Sequence, residues 1–343
     1  MNSKYVSGTN CNLATIATMT RIAVLDDWQD VAKSSADWSP LEARADVRFF
    51  HEPFTSENDA RRALADFDIV LVTRERTPFP RSLVERLPKL RMFGLTGARA
   101  GLIDIAALQA RGVTVCYTGG GPSSHSTAEI ALGLMLAAAR HVPPSDAAVR
   151  AGRFQLGTQA GFVLAGKTIG LIGLGRIGTL MATYCNALGM RVLAWSPNLT
   201  DERAKAVKAA RTEKNALLAG SDVVSLHLVL SDRTRDTLGA ADLARMRRGA
   251  ILVNTARAAL VDEKALVDAV TSGRIFAALD VFHREPLPPD DPLVRCPNTV
   301  LTPHLGYSAL DVYAEYYAHL VENALAFIDG KPIRVLGPET PAH

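Results

Sequence analysis

The chain has 343 residues, 48% hydrophobic and 21% charged, enough to fill the cores of two ordinary domains and too apolar for a disordered chain. Its 38 Lys+Arg against 35 Asp+Glu leave a formal charge of +3, too small a bias to mark a nucleic-acid or membrane surface. The cysteines, Cys11, Cys116, Cys185 and Cys296, form no CxxC pair and no zinc spacing, so reduced thiols of a cytoplasmic protein account for them.

Residues 1–20 are rich in Ser, Thr and Asn and lack the charged start and apolar core of a secretory signal. They read as a loosely ordered tail, with the fold beginning near Arg21. RIAVLDD (21–27), FDIVLVTRERTPFP (67–80), LRMFGLTGARAGLID (90–104) and GVTVCYTGGG (112–121) each open as a short apolar strand and end in a charged or glycine-rich loop. Helical stretches such as Asn58–Ala65 and Ile105–Arg111 lie between them. This alternation with short loops is the mark of a parallel sheet covered by helices.

GGGPSS (119–124) interrupts the pattern, and a long apolar helix follows from about Ser126 to Arg140. Its apolar run, Ile130–Ala139, is too short to span a membrane. A second alternation then begins: TIGLIG (168–173), RVLAW (191–195), SDVVSLHL (221–228), GAILVNT (249–255), IFAALDV (275–281) and TVLTP (299–303). Their nearly continuous apolar character suits strands buried on both faces. A last helix, Ser308–Ile328, carries Tyr313, Tyr316 and Tyr317. The reading is two α/β units, at about 21–120 and 121–306, with the last helix assignable to either.

After the strand at 168–173 comes Gly173-x-Gly175-x-x-Gly178, opening a helix through Arg176 and Ile177. In that context Gly173 permits a tight turn, Gly175 lets backbone amides approach a pyrophosphate, and Gly178 lets the helix pack on the strand. The helix N-terminus adds free N–H groups and partial positive charge. The next strand ends in Ser196-Pro197-Asn198, where a ribose-reading carboxylate would normally stand. No carboxylate repels a 2′-phosphate, and Ser196 and Asn198 can bond one, which favours NADPH. No arginine follows at once, Arg203 being the nearest, so NAD and NADP both stay open.

Three further stretches carry chemistry. Arg257 follows a buried strand, where its fork can meet a carboxylate in a bidentate way. Asp280 ends another strand, and Glu285 precedes Pro286. His304 sits in TVLTPHLGYS, and a histidine paired with a carboxylate can give a proton to a nascent alkoxide. No HExxH or GxSxG pattern occurs, no metal is expected, and His51, His125, His141, His283 and His319 are assigned no chemistry.

Together GLIGLGRIG, VVSLHLVLSDRTRDTLG, ILVNTARAALVDEKAL, AALDVFHREPLP and TVLTPHLGYS resemble, in order and spacing, the D-isomer-specific 2-hydroxy-acid dehydrogenase family. The resemblance covers about 21–336. It implies an α/β fold in which a doubly wound Rossmann domain (121–306) is inserted in a split, flavodoxin-like substrate domain (21–120 and 307–336). It implies hydride transfer between NAD(P)H and a small 2-keto acid such as glyoxylate or hydroxypyruvate. Arg257 would anchor the carboxylate and His304 would be the acid/base, with Glu285 its partner. Asp280 would bind the nicotinamide amide. His227, Leu228, Thr234, Thr255, Ala256 and Gly306 would line the cofactor, and Gly97-Ala98-Arg99-Ala100 would offer amides to the substrate.

Val229 and Ala258 replace a proline and a glycine common in the family. RERTPF (74–79), DDWQDVA (26–32) and WSPNLT (195–200) resemble a bacterial subgroup with poorly defined substrates. Arg76 and Arg99, with Arg74, are candidates for meeting a second anionic group, solvated loop charges being the alternative. Two other readings use the same motifs: oxidation of 3-phosphoglycerate, whose enzymes often carry a regulatory domain that the sequence lacks after 340, and a cofactor sensor like the C-terminal-binding-protein corepressors. The helix at 126–140 and the family likeness suggest a homodimer.

Overall fold

A five-stranded parallel sheet forms first, from β1 (Thr20–Leu25), β2 (Ala45–Phe49), β3 (Ile69–Val72), β4 (Met92–Leu95) and β5 (Thr114–Tyr117), in the order β2-β1-β3-β4-β5. The computed structural model describes residues 19–98 and 101–337. A seven-stranded sheet follows, from β6 (Thr168–Ile172), β7 (Arg191–Trp195), β8 (Ala210–Arg211), β9 (Val223–Leu226), β10 (Ile251–Asn254), β11 (Phe276–Leu279) and β12 (Thr299–Leu301). Its order is β12-β11-β10-β9-β6-β7-β8, again with every pair parallel. The first order is flavodoxin-like and the second is the doubly wound Rossmann order extended by a seventh strand.

The chain divides into two compact units, one built from residues up to Gly120 with those from Tyr313 onward, the other from Gly121–Val312. The second crossing therefore lies beyond 306–307. Residues 302–306 are tied into the second unit by the Asp280 carboxylate and by Thr127, which donates to the Gly306 carbonyl at 2.8 Å. The expected tail at 1–20 falls largely outside the described residues, although Thr20 already belongs to β1.

Burial explains which strands could be anticipated. β3, β4, β9 and β10 are buried at every position, so they read as apolar runs. Along β10, Ile251 and Val253 join the core that includes Ala128, Ala131 and Met181, while Leu252 joins the core that includes Leu217, Leu243 and Val270. The two-residue period thus feeds apolar layers on both faces of the sheet. β2 and β8 were missed by sequence reasoning. β2 is an edge strand whose Asp46 and Arg48 are exposed, and β8 is two exposed residues.

The last helix, Leu310–Ile328, gives the smaller sheet its cover. Tyr316, Tyr317, Leu320 and Ala324 recur on one face and are buried, and the Tyr317 hydroxyl shares a 3.0 Å hydrogen bond with Thr73. Gly94 admits this packing, because a Cβ there would stand 2.6 Å from Leu71 and 3.0 Å from Leu320.

Beyond β1, Asp26 adopts φ 67° and buries its carboxyl group, which accepts from the Thr77 hydroxyl at 2.6 Å and the Thr77 amide at 3.2 Å. Burial outweighs these bonds and the charge of Arg76, so the carboxyl is pushed up from 3.8 to about 6. The fold thus prefers the protonated acid. Asp26's contribution to stability is complete below the unfolded pKa of 3.8 and is lost as pH rises to about 6. Denaturant titrations across that window should show wild type losing on the order of 3 kcal/mol relative to Asp26→Asn. Parallel pH profiles for the two proteins would clear Asp26 of this role.

Candidate active site

All strands of the larger sheet run the same way, so their carboxyl ends share one edge, and the order reverses between β6 and β9. The glycine turn sits there. Gly173 has φ 101°, and a Cβ on it would lie 2.7 Å from the His227 carbonyl group. A Cβ on Gly178, in the helix Arg176–Ala187, would lie 2.1 Å from the Gly173 oxygen. The chain itself demands these two glycines. Gly175 is different: its φ of −87° suits any residue, and an added Cβ meets nothing within 4 Å. The space over Gly175, beside the exposed Arg176 and the helix N-terminus, fits the backbone approach of a pyrophosphate.

Two polar atoms nearby point the same way. His227, just past β9, is half-buried with its Nδ1 out of solvent, and loss of water pushes its imidazole down to about 4, so it is neutral. Its Nε2 shares a 2.9 Å bond with the Ser225 hydroxyl, while its Nδ1 has no partner. Thr255, just past β10, has a buried and equally unpartnered hydroxyl. Buried polar groups are almost always satisfied, so a pair left open at one sheet edge fits a polar ligand. The residues therefore fit a dinucleotide.

The other expected cofactor residues divide. Ser196 is half-buried past the end of β7, with Pro197 and Asn198 exposed beyond it. Ile177 packs against the core, and Leu228 is half-buried against the opposite layer. Thr234 has its hydroxyl committed to its own loop, donating to the Val229 carbonyl at 2.7 Å and accepting from the Ser231 amide at 2.7 Å. The Ala256 amide donates to Asn254 at 3.0 Å. Asp280 and Gly306 bond each other: the buried carboxylate accepts from the Gly306 amide at 2.8 Å.

His304 and Glu285 come together as expected. Nδ1 of His304 lies 2.7 Å from Glu285 Oε2, and the other carboxylate oxygen accepts from the Phe282 amide at 2.9 Å. Burial opposes ionisation of Glu285, but the hydrogen bond and charge of His304, the Phe282 amide and Arg257 together hold its carboxyl below the ordinary range. With Nδ1 turned to the carboxylate, Nε2 is the nitrogen available to a substrate. Arg257, exposed past β10, stands near enough to act on the Glu285 charge. The sheet edge thus gathers an imidazole, its carboxylate and a guanidinium.

Asn254 and Thr127 were not foreseen, and Arg203 was named only as the nearest arginine to the ribose position. Asn254, buried at the end of β10, donates to the Arg257 carbonyl at 2.9 Å and accepts from Ala256, fixing the turn that presents Arg257. An asparagine inside an apolar strand was the available signal. Thr127 reaches the histidine loop from the helix Ser123–Ala139. Arg203 donates to the Leu174 carbonyl at 3.1 Å, which brings its guanidinium to the glycine turn.

Of the substrate-loop residues, Arg99 and Ala100 lie outside the described residues. Ala98 is half-buried, and Gly97 has φ 80° with its amide donating to the Thr118 hydroxyl at 3.1 Å. Arg76 donates to the Asp26 carbonyl at 2.6 Å and the Tyr313 hydroxyl at 3.3 Å, and lies over the Trp28 ring. Its guanidinium therefore has work inside the smaller unit. His51 Nδ1 lies 3.4 Å from Asp27 and 3.5 Å from Asp30, a cluster close enough to hold a cation that no sequence spacing marks.

Fold and edge chemistry define an α/β protein whose larger sheet carries a dinucleotide-type glycine turn and, at the same edge, a histidine paired with a carboxylate. Residues 132–306 match the family model described as D-isomer specific 2-hydroxyacid dehydrogenase, NAD binding domain. A glyoxylate reductase of Korarchaeum cryptofilum is 36% identical over 76% of this chain and 80% of its own length. A D-3-phosphoglycerate dehydrogenase of Archaeoglobus fulgidus is 37% identical over 77% of this chain and 50% of its own, so the chain spans about half of that relative. The solved phosphoglycerate oxidoreductase of Vibrio cholerae aligns with TM-score 0.86 at 34% identity, covering 91% of this chain and all of that one. The chain belongs to the D-isomer specific 2-hydroxyacid dehydrogenase family.

The glycines allow a clean separation of folding from binding. Gly178→Ala should lower the melting temperature markedly, because its Cβ meets backbone. Gly175→Ala should keep the wild-type melting temperature and weaken dinucleotide binding about tenfold or more in a fluorescence titration. A Gly175→Ala protein that binds normally would remove the pyrophosphate from this turn.

Proposed function

We propose that this protein is an NAD(P)H-dependent reductase of small 2-keto acids, of the size of glyoxylate or hydroxypyruvate, and that it also runs the reverse oxidation of the D-2-hydroxy acid. The 2.7 Å contact between His304 and Glu285 carries the reading. A carboxylate held ionised beside the imidazole stabilises imidazolium and keeps the Nε2 proton towards the substrate. As the keto oxygen gains negative charge, His304 transfers that proton to it, and Glu285 keeps the ring in place while the charge changes. Arg257 binds the substrate carboxylate through its fork and polarises the carbonyl. When bound, the reduced nicotinamide supplies the hydride. In oxidation the same imidazole, now neutral, takes the hydroxyl proton.

The unit holding the glycine turn and His304 is the nucleotide domain in this reading, and the smaller unit binds substrate through Gly97–Ala100 and Arg76. NADPH stands ahead of NADH, because Ser196 replaces the acidic ribose reader and Arg203 has its guanidinium at the glycine turn. Oxidation of a phosphorylated hydroxy acid is the second reading. It is favoured by relatives named D-3-phosphoglycerate dehydrogenase, which are much longer than this chain.

We place the protein in the cytoplasm: Cys116 and Cys185 are buried free thiols, which burial pushes up to about 11 and about 12, and among the described residues no helix is long and apolar enough to cross a membrane. A homodimer fits the exposed Val142, Val149, Phe154, Leu156 and Val163, all carried by one segment.

A spectrophotometric screen of both reduced cofactors against a panel of 2-keto acids tests the assignment, with turnover of the smallest acids and a preference for NADPH expected. His304→Ala should lower turnover by roughly 10²–10⁴-fold, and Arg257→Ala should raise KM as well. Near-wild-type activity in His304→Ala would remove the general acid from the scheme. In sedimentation, Phe154→Asp with Leu156→Asp should convert a dimer to monomer; an unchanged coefficient places the interface elsewhere.

A further inference from the structure

The loops after β1 and β2 meet at the carboxyl edge of the smaller sheet, where the Phe50 amide donates to the Val24 carbonyl at 2.8 Å and the Asp27 amide to the Phe50 carbonyl at 3.2 Å. Three ligand-type side chains converge there, Asp27 and Asp30 from the first loop and His51 from the second. The Asp27 side chain is 0% exposed. Its Oδ1 accepts from the Val31 amide at 2.9 Å and the Ala32 amide at 3.2 Å, which leaves Oδ2 turned to His51. That oxygen is buried and has no hydrogen-bond partner. Burial pushes the Asp27 carboxyl above its ordinary range, against the Val31 and Ala32 amides and His51, and the charge of Asp30 adds to the rise. The chain thus keeps a buried acidic oxygen without closing a bond on it, which buried polar groups rarely do.

The spacing selects among cations. His51 Nδ1 lies 3.4 Å from Asp27 Oδ2 and 3.5 Å from Asp30 Oδ1. Ligands about 2.1 Å from one ion stand about 3.4 Å apart around a tetrahedron and about 3.0 Å apart around an octahedron. The tetrahedral edge is the one that matches. One imidazole with two carboxylates suits a borderline ion such as Zn²⁺, whereas Mg²⁺ and Ca²⁺ want oxygen throughout. We propose that Asp27, Asp30 and His51 form a zinc-type divalent-cation site in the smaller unit. The ion bridges Asp27 Oδ2, Asp30 Oδ1 and Nδ1 of a neutral imidazole that carries its proton on Nε2. The Asp27 carbonyl oxygen, 3.2 Å from the same nitrogen, is at hand for a fourth position. The site ties the two loops together and so fixes the segment on which Arg76 rests through the Asp26 carbonyl and the Trp28 ring. It departs from the sequence reading, which expected no metal and gave His51 no chemistry, because its ligands come from two loops that only the sheet brings side by side. It depends on neither His304 nor the substrate.

The rival account is an Nδ1–H bond to the Asp27 carbonyl, with imidazolium as the cluster's own cation, and a zinc titration separates the two. The tag-free full chain, stripped with a chelator, is titrated with Zn²⁺ against a chromophoric competitor. His304→Ala serves as the background, since it removes the other imidazole–carboxylate pair. One equivalent should bind, and adding His51→Gln or Asp30→Asn should weaken it about 100-fold or more, because loss of an outer-shell partner alone costs about 10–100-fold. Both side chains are exposed and Asn tolerates the φ of 53° at position 30, so these variants should keep the metal-free melting temperature of their background. Zn²⁺ should raise that temperature in His304→Ala and leave it in place once His51→Gln is added. Co²⁺ should give the strong visible bands of a four-coordinate ion, lost with His51→Gln. Absence of a bound equivalent in His304→Ala, or full zinc affinity in both ligand variants, would overturn the proposal. Tighter binding of Mg²⁺ than of Zn²⁺ would overturn it as well, since the ligand set and its spacing would then have been misread.

Discussion

Parallel strands impose one constraint from which the site follows. In the larger sheet every strand runs the same way, so Gly173, His227, Thr255, Arg257, Asp280 and His304 are delivered to one edge although they are dispersed along the sequence. An antiparallel sheet of the same segments would scatter them between two edges. The reversal of order between β6 and β9 opens that edge beside the glycine turn. The long crossovers that parallel pairing requires become covering helices, and the helix Ser123–Ala139, which precedes β6, supplies Thr127 to the histidine loop.

Charge at this edge is set by how much water each group retains. His227 keeps its Nδ1 out of solvent and stays neutral; His304, with its side chain 34% exposed, keeps contact with solvent and with a carboxylate. Two imidazoles within one sheet edge therefore sit in different surroundings, one bonded to a hydroxyl and the other to a carboxylate. The carboxylates divide similarly. Glu285 is held ionised against the imidazole, whereas Asp280 spends its oxygens on backbone amides and a hydroxyl. Either acid in the other's place would leave donors unmet or the imidazole alone.

Much of this was legible in the sequence where function and fold both constrain a residue type. The glycine turn could be read because Gly173 and Gly178 are forced by backbone contact, and the buried strands because continuous apolar runs have few other uses. The pairing of His304 with Glu285 came from the family pattern, since nothing local joins residues so far apart; the cis Glu285–Pro286 bond and the left-handed His304 carry no sequence mark of their own. Asn254, Thr127 and Arg203 act through hydrogen bonds to backbone across the fold. Such bonds depend on where the acceptor's chain passes, which composition and periodicity do not encode. β2 escaped for a plainer reason: an edge strand with one wet face alternates charges, and charged alternation looks like a loop.

What separates a binding edge from a merely well-packed one is incompleteness. Elsewhere in the larger unit, buried polar side chains close their bonds within the chain, as Asn254 does with Arg257 and Ala256, and Ser221 with Leu217. At the glycine edge His227 Nδ1 and the Thr255 hydroxyl do not, and Gly175 leaves room that neither conformation nor packing requires. An unmet buried polar group costs about 1–3 kcal/mol. The apolar layers could have covered this edge as they cover both faces of the sheet, with Val or Ala at either position. Two open polar atoms at the edge where Gly175 leaves room suit a polar ligand there, and His304 with its carboxylate lies at the same edge.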